Sequence, residues 1–136
     1  MPELRGVLET SLYVSELERS RSFYTRLFGF RVLLQDERLC ALDVCSRQVL
    51  LLFQNDSTAP LVTPGGTIPS HGGNGSLHIA FAIGRDELDP WERRLQQDEI
   101  PIESRVQWSR GGKSIYFRDP DGHLLELATP GLWATY

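Results

Sequence analysis

The chain has 136 residues, 40% hydrophobic and 24% charged, with a formal net charge of −4. This is the make-up of one globular domain, or of two small modules sharing a core. The acidic balance argues against nucleic acid, which requires a basic stripe. No apolar run approaches the roughly 20 residues that span a bilayer. Residues 1–10 lack the basic flank and apolar run of a secretion signal, so the expected location is the cytoplasm.

Residues 8–14 carry β-branched and aromatic side chains at a rough period of two and are predicted as a strand. Ser15 to Glu18 fits a capping box, with Ser15 as N-cap. Leu17, Phe23, Tyr24, Leu27 and Phe28 then give a helix its apolar stripe, and Gly29 stands where a glycine ends it. Three strands follow, over 30–34, 38–44 and 48–54. Cys40 and Cys45 fall in this region. Two cysteines make no disulfide scaffold, and they are expected as buried or half-buried residues on different faces.

Residues 55–76 are rich in Pro, Gly, Ser and Thr and are read as a long connection, of the kind that often lines a site. The first pattern then returns. A strand over 77–83 precedes a helix capped by Asp86 or by Asp89, with Pro90 at its first turn in the second case. Leu88, Trp91 and Leu95 face inward. Strands over 100–103, 113–118 and 123–128 complete the set, and Asp119-Pro120-Asp121-Gly122 makes a hairpin turn.

The order is therefore βαβββ, linker, βαβββ, with module 1 at about 5–55, the linker at 56–76 and module 2 at about 77–131. Glu9 to Val14 aligns with His78 to Ile83 at an offset of 69, and the strand from Val49 aligns with that from His123 at an offset of 74.

Three strands each carry one metal-capable side chain among apolar neighbours: Glu9, His78 and Glu126. Taken singly, such residues are more often solvated or hydrogen-bonded than ligating. Glu9 and His78, however, hold matching places in the two modules. A carboxylate facing a sheet interior is costly unless paired or metal-bound. One His with two carboxylates suits Fe, Mn, Co, Ni or Zn and leaves positions open for substrate oxygens. Leu52 aligns with Glu126, so three protein ligands are expected rather than four.

A three-residue loop, Pro120 to Gly122, puts Tyr116 across from Glu126 with Ser114 on the same face. Tyr116 is then either a hydrogen-bond donor to substrate or Glu126, or a packed aromatic. A two-residue loop would put Phe117 there instead. Ser11 and Tyr13 share the face of Glu9 and are candidate substrate contacts. Arg110-Gly-Gly-Lys-Ser resembles the tail of a phosphate loop, but Gln107 stands where a glycine is required and a strand follows instead of a helix. Arg110 remains a candidate anion contact, with solvated surface the blander alternative. His71 in the linker is a candidate acid/base, against the default of a surface histidine. His123 is expected to make local polar contacts.

Three stretches make the pattern recognisable. Residues 12–30, Leu-Tyr-Val-Ser-Glu-Leu-Glu-Arg-Ser through Leu27-Phe-Gly-Phe30, resemble the opening of glyoxalase/bleomycin-resistance/extradiol-dioxygenase domains, the vicinal oxygen chelate superfamily. Residues 77–83 and 114–127 resemble that family's second module. The resemblance implies an α+β glyoxalase-like fold, in which paired βαβββ modules form a curled mixed sheet around a metal cleft. It also implies one divalent metal ion and a homodimer. The first strand of the superfamily usually supplies His where this chain has Glu9. Fosfomycin thiol transferases share the Ser-x-Tyr-Phe-x-Asp-Pro-Asp-Gly-His pattern that begins at Ser114.

The expected function is thus a metal-dependent enzyme with Glu9, His78 and Glu126 as ligands. Glu126, Tyr116 and His71 are the candidate catalytic groups, and Ser11, Tyr13, Ser114 and Arg110 the candidate substrate contacts. The substrate is expected to chelate the ion through adjacent oxygens. Lyase, isomerase and transferase chemistry are all open, and dioxygenase chemistry is less favoured. The alternative is a metal-free protein that sequesters a drug, with Trp91, Trp108 and Trp133 as stacking surfaces.

Overall fold

A computed structural model describes residues 1–136, which form two compact units, 1–74 and 75–136. The first contains β1 (Glu9–Val14), α1 (Leu17–Phe28), β2 (Arg31–Gln35), β3 (Leu39–Val44), β4 (Gln48–Gln54), β5 (Leu61–Thr63) and β6 (Gly66–Ile68). The second contains β7 (His78–Ala82), a 3₁₀ turn (Arg85–Glu87), α2 (Leu88–Gln97), β8 (Ser104–Gln107), β9 (Lys113–Arg118) and β10 (Leu124–Ala128).

Each unit forms a four-stranded mixed sheet of the same order, β1-β4-β3-β2 and β7-β10-β9-β8. The first strand of each pairs in parallel with the last, Glu9 opposite Val49 and His78 opposite Leu124. Strand alternation then sorts the side chains. Leu50 and Leu52 of β4 are fully buried on one face, and α1 packs against β3 and β4 with Tyr24 at 0% exposure. In the second unit Leu125, Leu127, Ile115 and Phe117 are buried together with Leu95, the one buried residue of α2.

Five expectations need correction. Ser15 does not cap α1: Glu16 is the N-cap residue and makes no side-chain cap hydrogen bond. Instead the Leu17 amide donates to Gln54 Oε1 at 3.0 Å, and Gln54 Nε2 donates to the Ser15 carbonyl at 2.7 Å. A side chain from β4 thus does the work expected of the local hydroxyl. Gly29 does end the helix, left-handed at φ 71° with its amide on the Thr25 carbonyl.

Likewise, neither Asp86 nor Asp89 caps α2. The 3₁₀ turn at Arg85–Glu87 leads into a helix that starts at Leu88, with Glu87 as its N-cap residue, so Pro90 lies in the first turn. The long connection is not structureless, since β5 and β6 pair as a small antiparallel hairpin within it. Cys45 is exposed and lies beyond the end of β3, while Cys40 is buried as expected, and both are free. The strand expected over 100–103 lies at Ser104–Gln107.

The repeat registers also correct one alignment. Ser11 faces Leu51, and Ala80 faces Glu126. The residue of the first unit equivalent to Glu126 is therefore Leu51 and not Leu52. It too is apolar, so the count of ligand-type residues is unchanged.

Candidate metal centre

In the second unit the Asp119–Gly122 turn sets the register of the site. The Asp119 amide donates to the His123 carbonyl and the Gly122 amide to the Asp119 carbonyl, with Gly122 at φ 80°. The Asp119 carboxylate accepts from the amides of Asp121 and His123, each at 2.9 Å. His123 is buried, and its Nδ1 accepts from the Leu77 amide at 3.0 Å, the local polar role expected of it. This is the three-residue loop. Tyr116 consequently stands directly opposite Glu126, with Ser114 opposite Ala128 on the same face.

Glu126 is only 5% exposed. Ser114, also buried, donates from Oγ to Glu126 Oε2 at 3.1 Å. Tyr116 faces the same carboxylate across the ladder. Burial first, and then hydrogen bonding to that carboxylate and its negative charge, push the Tyr116 hydroxyl up to about 12. A buried carboxylate is acceptor-only, and Ser114 supplies one of the donors that its lone pairs require.

His78 lies diagonally across from Glu126 on the same face, with the small Ala80 between them in β7. Its Nδ1 is 2.9 Å from the Leu124 carbonyl. A carbonyl only accepts, so Nδ1 carries the proton and, in the neutral ring, Nε2 presents a lone pair. That lone pair faces Glu126 Oε1 at 3.6 Å. Two acceptors aimed at each other repel unless something positive lies between them, either a proton on the ring or a metal ion. Two ligands of one ion with bonds of about 2.1 Å lie roughly 3 to 3.7 Å apart. The donor set therefore fits a divalent ion. His78 is about half exposed, which leaves the position open to a substrate.

In the first unit, Glu9, Ser11 and Tyr13 share one face of β1 with Val49, Leu51 and Phe53 of β4. Leu39, Ala41 and Phe53 form an apolar cluster there, and Tyr13, Val49 and Leu51 pack on it. Glu9 is exposed and Ser11 half-buried. His71 is attached to this face: Tyr13 Oη and His71 Nδ1 are 2.7 Å apart, and the imidazole meets the Phe53 ring edge-on at 4.6 Å. The backbone carbonyl of His71 accepts from Thr58 Oγ1. Exposed though it is, His71 is thus held in place.

Neither unit groups three His, Cys, Asp or Glu side chains about one point. The second unit joins His78, Glu126, Tyr116 and Ser114, and the first joins Tyr13 and His71. Arg110 is exposed in the β8–β9 turn and takes part in neither. Sequence reasoning gave Trp108 only a stacking role. Its indole Nε1 donates to Ser114 Oγ at 2.8 Å, a contact that a tryptophan six residues before a serine does not announce.

The chain belongs to the Glyoxalase/Bleomycin resistance protein/Dioxygenase superfamily, whose family model matches residues 6–127. It is 34% identical over 118 residues to the metallothiol transferase FosB of Lysinibacillus sphaericus, covering 85% of this chain and 76% of that one. A second metallothiol transferase FosB, from Shouchella clausii, is 33% identical over 129 residues, or 93% and 81% of the two chains. The crystal structure of lactoylglutathione lyase from Agrobacterium tumefaciens superposes with a TM-score of 0.88 at 32% identity, over 98% of this chain and 99% of that one. These relatives are enzymes, as expected for this chain. They share the α+β glyoxalase-like fold seen in its two mixed sheets. No helix is long and apolar enough to cross a membrane.

Proposed function

We propose that this chain is a metal-dependent enzyme that transfers a small thiol to a substrate bearing two neighbouring oxygens. His78 and Glu126 are the central ligands, and Glu9, which holds in β1 the register position that His78 holds in β7, is the candidate for a further one. The expected assembly is a homodimer. The observation that carries the proposal is the pair of acceptors, His78 Nε2 and Glu126 Oε1, facing each other at 3.6 Å with their other polar atoms already engaged. Transfer of a thiol is favoured over the other chemistries by the two transferases that match most of the chain.

A bound divalent ion would supply Lewis acidity at a substrate oxygen. The protein's own groups do the rest. Ser114 and Tyr116 hold Glu126 in place, and Tyr116 keeps its proton at neutral pH and can offer it as a hydrogen-bond donor. Ser11 and Tyr13, half-buried on the apolar face of β1, would contact the body of a small substrate. His71 is the candidate base for the thiol proton. With its own proton on Nδ1, given to Tyr13 Oη, its Nε2 is left as the acceptor. Arg110 would act as an anion contact from the β8–β9 turn.

The test starts from chelator-treated protein, reloaded separately with Fe, Mn, Co, Ni or Zn. It is mixed with fosfomycin and either glutathione or cysteine, and loss of free thiol is followed. Metal-dependent thiol loss that disappears in Glu126→Gln is expected. No thiol loss with any of the ions, together with a drug-induced thermal shift that survives chelator, would replace this reading with metal-free sequestration.

A further inference from the structure

We infer that Trp108 is a positioning residue whose indole N–H, donated to Ser114, turns the Ser114 hydroxyl onto Glu126 and so fixes which carboxylate oxygen faces His78. The argument is one of counting protons. An indole nitrogen can only donate, and a serine hydroxyl has one proton and lone pairs to accept with. Trp108 Nε1 lies 2.8 Å from Ser114 Oγ and occupies a lone pair, so the relay runs in one direction, from Trp108 to Ser114 to Glu126 Oε2.

Ser114 is 1% exposed, so water does not compete with the indole for its oxygen. Tyr116 also lies within hydrogen-bonding reach of Ser114 as well as of Glu126. With the indole absent, the Ser114 oxygen becomes an acceptor for the Tyr116 hydroxyl. That diverts a donor from the carboxylate and frees Glu126 to rotate. With the indole present, the Ser114 hydroxyl is committed to Glu126.

Backbone contacts hold the tryptophan. Its amide donates to the Gly112 carbonyl at 2.8 Å, and its carbonyl accepts from Gly111 at 2.9 Å. Gly112 in turn lies so close to Gly131 that a Cβ on it would come within 2.7 Å of that residue's carbonyl carbon. The ring therefore projects from a turn pinned on two sides. At 37% exposure Trp108 is not a core residue, and its burial alone does not account for so fixed a setting.

The inference concerns the orientation of Glu126, and only its consequence for ion affinity rests on the proposed metal site. Two readouts keep these apart. In ¹⁵N-labelled, chelator-treated protein, Glu126→Gln should shift the indole N–H resonance of Trp108 while leaving those of Trp91 and Trp133 in place. In Co(II) titrations, Trp108→Phe should weaken binding about tenfold, the range seen when a group supporting a metal ligand is removed. Ser114→Ala should weaken it similarly, and the double variant no further than the worse single one.

An unmoved Trp108 resonance in Glu126→Gln overturns the inference. So does a Co(II) affinity in Trp108→Phe within about twofold of the parent, well short of that range. If the parent takes up no Co(II), the metal reading fails and the resonance alone decides the role of Trp108. Should Trp108→Phe prove poorly folded, Ser114→Ala breaks the same relay from its other end.

Discussion

Tyr116 stands directly opposite Glu126 across the β9–β10 ladder, where a buried carboxylate faces a hydroxyl that can donate to it only while protonated. Burial and the neighbouring carboxylate raise the hydroxyl to about 12, from 10.0. A group raised on folding favours the folded state below its unfolded pKa, and that contribution is lost as pH rises through the folded value. Between about 10 and 12, chelator-treated wild-type protein should therefore lose stability faster than Tyr116→Phe. Ultraviolet titration should show one late tyrosinate in wild type that the variant lacks. A tyrosine complement that titrates entirely near 10 would contradict the assignment.

Gln54 fastens the start of α1 from a different strand, accepting from Leu17 and donating to Ser15. Gln54→Ala leaves a helix-terminal amide without its partner and should cost about 1 kcal/mol, as loss of a cap does. Ser15→Ala, by contrast, leaves the Gln54 bridge intact, since that uses the Ser15 carbonyl, and should lower urea midpoints less. Equal losses from the two substitutions would restore the local capping box.

Gly131 has φ +109°, and a Cβ there would come within 2.4 Å of the Gly112 nitrogen and 2.9 Å of the Arg110 carbonyl oxygen. Both neighbours are backbone and cannot swing away. Gly131→Ala should cost at least about 2 kcal/mol through strain and steric displacement. Gly65→Ala is the control: its Cβ would meet only the Thr63 side chain at 3.9 Å, so thermal melting should hardly change.

Cys45 is exposed and Cys40 is buried. Burial pushes the Cys40 thiol up, with Arg21 opposing by a smaller amount. A thiolate reagent should therefore modify one cysteine quickly in native protein and the second only on unfolding. Loss of the fast phase in Cys45→Ser assigns it. Two fast phases would show that β3 opens readily.

The chain's alternating patterns made most of the fold legible. The two βαβββ series, the left-handed Gly29 and the pairing of Tyr116 with Glu126 all follow from periodicity and turn chemistry. What escaped depends on contacts distant in sequence. Ser15 and Glu18 satisfy the local rule for a capping box, but the groups at the helix start are taken by Gln54, 37 residues from Leu17.

The Leu51 equivalence escaped for a related reason. An offset of 74 joins Leu52 to Glu126, whereas the registers require 75, and one residue moves a side chain to the opposite face. The β5–β6 hairpin has strands of three residues, too short to show a period, although Pro64-Gly65 marked its turn. Of the candidate site, the His78, Glu126, Tyr116 and Ser114 group was readable from strand parity. Trp108 was not, since its role depends on how a turn folds back over Ser114.

The most direct test of the account is Co(II) titration of chelator-treated protein, followed by visible absorption and by ion-per-chain analysis. The account predicts one ion per chain. It predicts that His78→Ala and Glu126→Gln each abolish tight binding, and that Glu9→Gln weakens it, while thermal melting shows all three variants still folded. Co(II) binding that is unchanged in both His78→Ala and Glu126→Gln would contradict it.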